Sequence, residues 1–178
     1  MGTSFSGDNS HYPDSKNPNS IRDGLQYQDE MIRVYAVHGI IVQQFVSSYG
    51  QLTWGESYGG HEIKLDRLCT DTGRLSFEIA EKSRASMLEW TPSGIYAATN
   101  PLFYGQGNRV VHWLFATKDL VAVHRAYVKR RGKGSYEWDE TPTIRKFYLP
   151  LPDADRLCIK KFIIRPDGQY NLFESNRR

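Results

Sequence analysis

The sequence predicts an α+β fold with a mixed central sheet flanked by helices, and three stretches carry that prediction. Residues Gly60-His61-Glu62-Ile63-Lys64-Leu65-Asp66 and Leu75-Ser76-Phe77-Glu78-Ile79-Ala80-Glu81-Lys82 alternate polar with apolar side chains, the period of half-buried strands. Met31, Val34, Val37, Ile41 and Phe45 recur at three- and four-residue steps, the period of an amphipathic helix. Val110 to Ala116 is a nearly continuous apolar run, as in a buried strand, and Thr117-Lys118-Asp119 behind it can open a helix.

Residues 1–24 are rich in Ser, Asn, Asp, Gly and Pro and are expected to form a flexible tail, leaving 25–178 as one domain. The first helix is expected from Asp29 to about Ser48-Tyr49-Gly50. Its β-branched residues weaken its intrinsic propensity, so packing must hold it. Glu30 near its start suits the positive end of the helix. Gln51 to Tyr58 reads as the first strand with Trp54 inward, and the two alternating stretches follow as a hairpin turning through Thr70-Asp71-Thr72-Gly73-Arg74. Beyond the polar segment Trp90-Thr91-Pro92-Ser93-Gly94, Ile95 and Tyr96 make a short apolar piece. The helix from Thr117 runs to about Tyr127, and Arg145 to Leu149 and Cys158 to Ile164 are further strands, with Pro166-Asp167-Gly168 as a turn. No internal repeat is visible.

At 178 residues, with 39% hydrophobic and 13% aromatic side chains, the chain is sized for one domain with a real core. A formal charge of +3 permits nucleic acid as a partner without demanding it. No apolar stretch is long enough to cross a bilayer and no signal region opens the chain, so the expectation is no membrane and a cytoplasmic location. Cys69 and Cys158 are too few for a disulfide framework and have no neighbours at zinc spacing. There is no Ser-His-Asp grouping, Gly-rich phosphate loop or Cys-His metal spacing, which argues against hydrolases built on those motifs and against nucleotide-driven motors. Alternation turns His61 away from Glu62, and His112 and His124 read as packed or surface groups.

A hairpin symmetric about Thr72 would pair Asp66 with Glu78, Lys64 with Ala80 and Glu62 with Lys82. Two opposed carboxylates need a compensating cation, and a hard divalent ion is held by one or two carboxylates with water and substrate phosphate. A solvated hairpin face with an ordinary Glu62–Lys82 ion pair explains the same alternation.

An acid near one strand, a Glu on the next and a Lys on the same face resemble the PD-(D/E)XK nuclease superfamily. More closely, Gly60 to Lys82, then Pro92-Ser93-Gly94-Ile95-Tyr96 with Asn100, and Phe147-Tyr148-Leu149-Pro150-Leu151 before Asp153-Ala154-Asp155 are similar to an uncharacterised group of small bacteriophage proteins of that type. The resemblance implies a restriction-endonuclease-like αβββαβ core and a Mg²⁺-dependent (or Mn²⁺-dependent) DNA endonuclease working in the host cytoplasm. It makes Asp66 and Glu78 the metal ligands and Lys82 the catalytic ammonium, with Lys64 and Glu62 in close support. The superfamily lysine usually stands two residues after the Glu, and here that position is Ala80. A second frame, Glu62-Ile63-Lys64, would need Asp29, Glu30 or Glu56 as its partner acid. Related nucleases often cut both strands as dimers, which makes a homodimer one expected assembly.

Lys129-Arg130-Arg131-Gly132-Lys133-Gly134 is a compact basic loop followed by Tyr136 and Trp138, residue types that track phosphates and stack on bases. A solvated loop beside two core aromatics fits the same pattern. Joined to the nuclease-like stretch, Lys129, Arg130, Arg131 and Lys133 become the expected DNA contacts, with Arg84, Lys160 and Lys161 as extensions. The displaced lysine motivates a competing class, a non-catalytic nuclease-like protein that binds DNA or a host protein, for instance in counter-defence. A structural component of a phage particle is a third.

Overall fold

The computed structural model describes residues 18–43, 60–99, 101–131 and 138–164. Proline suits a helix start because its missing N–H would be unpaired there, and Pro18 opens helix α1 (Pro18–Val37). Tyr27, Met31, Val34 and Tyr35 recur at helical spacing and are all buried. They pack on Ile63, Leu114 and Phe162, which line one face of a four-stranded sheet. That sheet has the order β1-β4-β5-β8, from β1 (His61–Leu65), β4 (Phe103–Gly107), β5 (Val111–Ala116) and β8 (Lys160–Ile163). Strand β1 runs parallel to β4 and the other pairs are antiparallel.

The opposite face of this sheet presents Tyr104, Val111, Trp113 and Phe115 to a second core. Leu75, Phe77, Phe147 and Leu149 meet them there from a second, antiparallel sheet of order β3-β2-β7-β6. Its strands are β2 (Arg74–Glu81), β3 (Thr91–Pro92), β6 (Trp138–Glu140) and β7 (Ile144–Pro150). Phe77 stacks on Phe147 with centroids 5.2 Å apart and meets Phe115 edge-on at 5.6 Å. The one-turn helix α2 (Cys69–Thr72) joins β1 to β2, and a 3-10 turn spans Gly94–Tyr96. Helices α3 (Thr117–Arg131) and α4 (Leu151–Leu157) supply Leu120 and Ala154 to the same core.

The fold is α+β with parallel and antiparallel strands, as the sequence predicts, but the strands form two sheets instead of one central sheet. The expected hairpin does not form. Residues 69–72 close into a helical turn ending at Gly73, and β1 and β2 enter different sheets. Each strand has a better partner elsewhere: β2 pairs along β7, with Phe77 against Phe147, and all five residues of β1 pair with β4. Helix α1 begins at Pro18, so residues 18–24, assigned to the tail, are helical, and the helix ends at Val37. The polar first turns hid it, because Ile21 and Leu25 are exposed and the buried period starts only at Tyr27. Strand β4 went unread because Gly105, Gln106 and Gly107 mask its alternation. The expected strand over 51–58 and the turn at 166–168 lie outside the described residues.

His112 on β5 is fully buried between two tyrosines of α1. The Tyr27 hydroxyl lies 2.6 Å from its Nδ1 and the Tyr35 hydroxyl 2.7 Å from its Nε2. Tyr27 also donates to the Asn108 carbonyl at 3.3 Å. With that proton committed, Nδ1–H donates to Tyr27 and Nε2 accepts from Tyr35, so a neutral imidazole satisfies the whole chain. Gly105 leaves the space: a Cβ there would lie 2.6 Å from His112 Nε2 and collide with the Tyr35 hydroxyl.

Burial depresses the His112 pKa from 6.5 to about 3. The unfolded chain therefore takes the proton first, so this contribution to stability is whole above about pH 6.5 and is lost as pH falls toward 3. Melting curves from pH 7 to pH 4 should show a loss rising to on the order of 3 kcal/mol from this one group. His112→Gln should start less stable at pH 7 and flatten that pH dependence.

Candidate functional site

Alternation along β1 places Glu62 and Lys64 on one side of the strand, and they share the face of Tyr104 and Gln106, their partners on β4. They form an ion pair of 2.9 Å with each other. Asp66 follows as β1 ends, its N–H donating to the Gly107 carbonyl at 2.7 Å, and its side chain reaches across to the second sheet. It meets β2 at Ser76, one pleat before Glu78. Asp66 Oδ2 accepts the Ser76 N–H at 2.9 Å and the Gln106 side-chain amide at 3.2 Å, while that amide also donates to the Ser76 carbonyl at 2.6 Å. Two side chains thus do for Ser76 what a neighbouring strand would do. Burial raises the Asp66 pKa, opposed by these hydrogen bonds and by the Lys146 charge.

Glu78 stands opposite Lys146 of β7, so a carboxylate and an ammonium group share one face of that sheet. Its Oε1 accepts a hydrogen bond from the Ser93 hydroxyl. Gly94 then presses on the Glu78 backbone with φ +55°, where a Cβ would lie within 2.8 Å of three Glu78 atoms. Only glycine fits this approach, and it brings the Ser93 hydroxyl to the acid.

Lys82 is elsewhere. The ladder with β7 steps from Glu78–Lys146 to Ala80–Arg145, so Ile79 is an extra residue, a β-bulge. Side chains beyond it change face, and the row Glu78, Ala80, Lys82 expected from alternation is broken. Lys82 instead lies 4.4 Å from the centroid of the Trp90 ring, which Arg145 also meets at 4.1 Å. Lys146 was missed as a site residue. Its place in the alternation Lys146-Phe147-Tyr148-Leu149 marks it as outward, but its pairing with Glu78 joins residues distant in sequence, and local pattern carries no sign of it.

Of the expected DNA contacts, Lys129 is exposed on α3, the side chains of Arg130 and Arg131 lie outside the described residues, and so does Lys133. Arg84 is exposed in the loop after β2, whereas Lys161 binds Asp155 at 2.8 Å. Helix α3 also exposes Lys118 and Arg125. At 100° per residue Lys118, Arg125 and Lys129 fall on one stripe, with Ala122 among them. Through Tyr96, α3 packs on the same 3-10 turn whose start holds Glu78.

As a test for Mg²⁺, Glu78 is the acid with the better fit, standing partly exposed beside Lys146. Asp66 would have to give up Ser76 and Gln106 to ligate a cation. Among the described residues no three His, Cys, Asp or Glu side chains are grouped to hold a metal ion. No helix is long and apolar enough to cross a membrane, among the described residues. No protein-family model, curated protein or solved structure matches the chain.

The geometry gives Asp66 a structural duty beyond that of an exposed acid. Asp66→Ala strands the Ser76 N–H and part of the Gln106 amide, and should cost about 1–3 kcal/mol in chemical denaturation. Asp66→Asn keeps an acceptor oxygen and should cost less than half as much.

Proposed function

We propose that this protein binds DNA through the exposed face of α3, in the manner of a nuclease-like accessory module. One observation carries the reading: Lys118, Arg125 and Lys129 line one stripe of a helix whose sequence holds five basic residues and a single acid, Asp119. Several cations elsewhere are held in ion pairs. Arg67 and Arg109 pair with Asp23 and Glu30, Arg145 with Glu140, Arg156 with Asp153 and Lys161 with Asp155. Among the described residues Lys118 and Lys129 enter no ion pair. The stripe extends over eleven residues of rise, roughly 16 Å, about the axial rise of five base pairs of duplex DNA. In sequence it continues into Arg130 and Arg131.

A second reading, Mg²⁺-dependent hydrolysis of the bound strand, is favoured by Lys146. It stands opposite Glu78 and offers the ammonium that Ala80 cannot. In that reading Glu78 would hold the ion, which would supply Lewis-acid activation of the phosphate, and Lys146 would stabilise charge on the phosphate oxygens. The commitment of Asp66 to Ser76 and Gln106 favours binding without cleavage.

Fluorescence anisotropy with single-stranded, duplex and branched DNA tests the main reading. Lys118→Ala and Lys129→Ala should each weaken binding and lower the slope of log K against log salt by about one. An unchanged slope in both would remove α3 as the contact. The same substrates incubated with Mg²⁺ or Mn²⁺, against chelator and Glu78→Gln, decide on hydrolysis: metal-dependent cutting lost in Glu78→Gln would establish the second reading.

A further inference from the structure

Tyr96, at the end of the 3-10 turn, takes part in neither reading above. Its hydroxyl lies 2.9 Å from Nδ1 of His124 on α3. The guanidinium carbon of Arg125, the next residue of that helix, lies 6.0 Å from the centroid of the Tyr96 ring. The phenol oxygen therefore has a base in contact, and the ring has a cation nearby. The His124 ring is braced against Phe147 at 5.0 Å and meets the Tyr96 ring edge-on at 5.6 Å. Tyr96 is partly exposed, and Arg125 belongs to the stripe that the DNA reading assigns to phosphate. A strand held by Lys118 and Lys129 passes Arg125 between them.

We propose that Tyr96 is a nucleophile that attacks a DNA phosphodiester, with His124 as general base and Arg125 as the partner of the phosphate oxygens. The proposal rests on the DNA-binding reading of α3. A bond forms between the Tyr96 phenolic oxygen and phosphorus as the phenol proton passes to His124 Nδ1. The bond from phosphorus to one sugar oxygen breaks, and that oxygen takes the proton back from His124. The products are a phosphotyrosyl diester and a free sugar hydroxyl. No water or cofactor is consumed, so the freed hydroxyl can reverse the step and reseal the strand.

Burial sets the resting protonation states of the pair. It raises the Tyr96 pKa, so the phenol keeps its proton at neutral pH and needs a base to attack. Burial and the Arg125 charge lower the His124 pKa, which keeps that imidazole neutral and able to accept a proton. The short reach from phenol to imidazole is the geometry such a transfer requires.

The experiment incubates the full chain, in chelator, with end-labelled random-sequence DNA pools containing 5′-bridging or 3′-bridging phosphorothiolates. These cleave to a thiol that reseals poorly, so a transient adduct accumulates. The expected result is label migrating with denatured protein, assigned to Tyr96 by peptide mass spectrometry and reduced at least 100-fold in Tyr96→Phe. That variant keeps the ring, and its melting and DNA binding are measured beside the parent's. DNA binding without an adduct overturns the proposal and leaves the DNA reading standing. Absence of DNA binding in the parent chain overturns both, and an adduct that survives in Tyr96→Phe overturns the assignment of the nucleophile.

Discussion

Ser76 lies on the side of β2 that β3 covers only at Ala80 and Glu81, and the joint between the two sheets depends on how its N–H and carbonyl are satisfied. Apolar contact between sheets is non-directional and would tolerate sliding. A carboxylate and an amide that must meet one backbone position do not. Asp66 and Gln106 come from adjacent strands of the first sheet, so their grip fixes where β2 sits against β1 and β4. Leaving that backbone pair unmet would cost more than either bond contributes. Asn108 does a similar service one turn away, where its amide holds Thr70 of α2, its Oδ1 accepts from Val110 and Val111, and its carbonyl takes Tyr27 of α1. Helix, hairpin and crossover are pinned at the same end of the first sheet.

The parts of the fold set by local chemistry were legible. Strand β5 and the start of α3 follow from an apolar run and a Thr-Lys-Asp opening, and β7 and β8 fall within a few residues of their expected bounds. What could not be read was pairing. The period of two in residues 61–66 and 75–82 says that each is a strand and nothing about which strand lies beside it. A four-residue helix between them was enough to send them into separate sheets. The site suffered accordingly: Asp66 and Glu78 come to the same strand, yet at successive pleats, and Lys146 arrives from far along the chain.

Charge is distributed with a similar division. Asp23 and Glu30 of α1 gather Arg67 and Arg109 from two loops, and the arginines hold Asp23 below the usual carboxylate range. These pairs brace the N-terminal helix and are screened at the surface. Among the described residues Lys118 and Lys129 of the α3 stripe enter no ion pair, and both are exposed to solvent.

The bulge at Ile79 carries a consequence for how this chain can change. It exists because β7 is one residue short of β2 across that interval. A single residue inserted between Arg145 and Lys146 would give Ile79 a partner, restore plain alternation and swing Lys82 onto the face of Glu78. The arrangement of acid and lysine that the linear pattern suggests is thus one codon away from the one the molecule adopts, and insertions in β7, more than substitutions in β2, are the route between them.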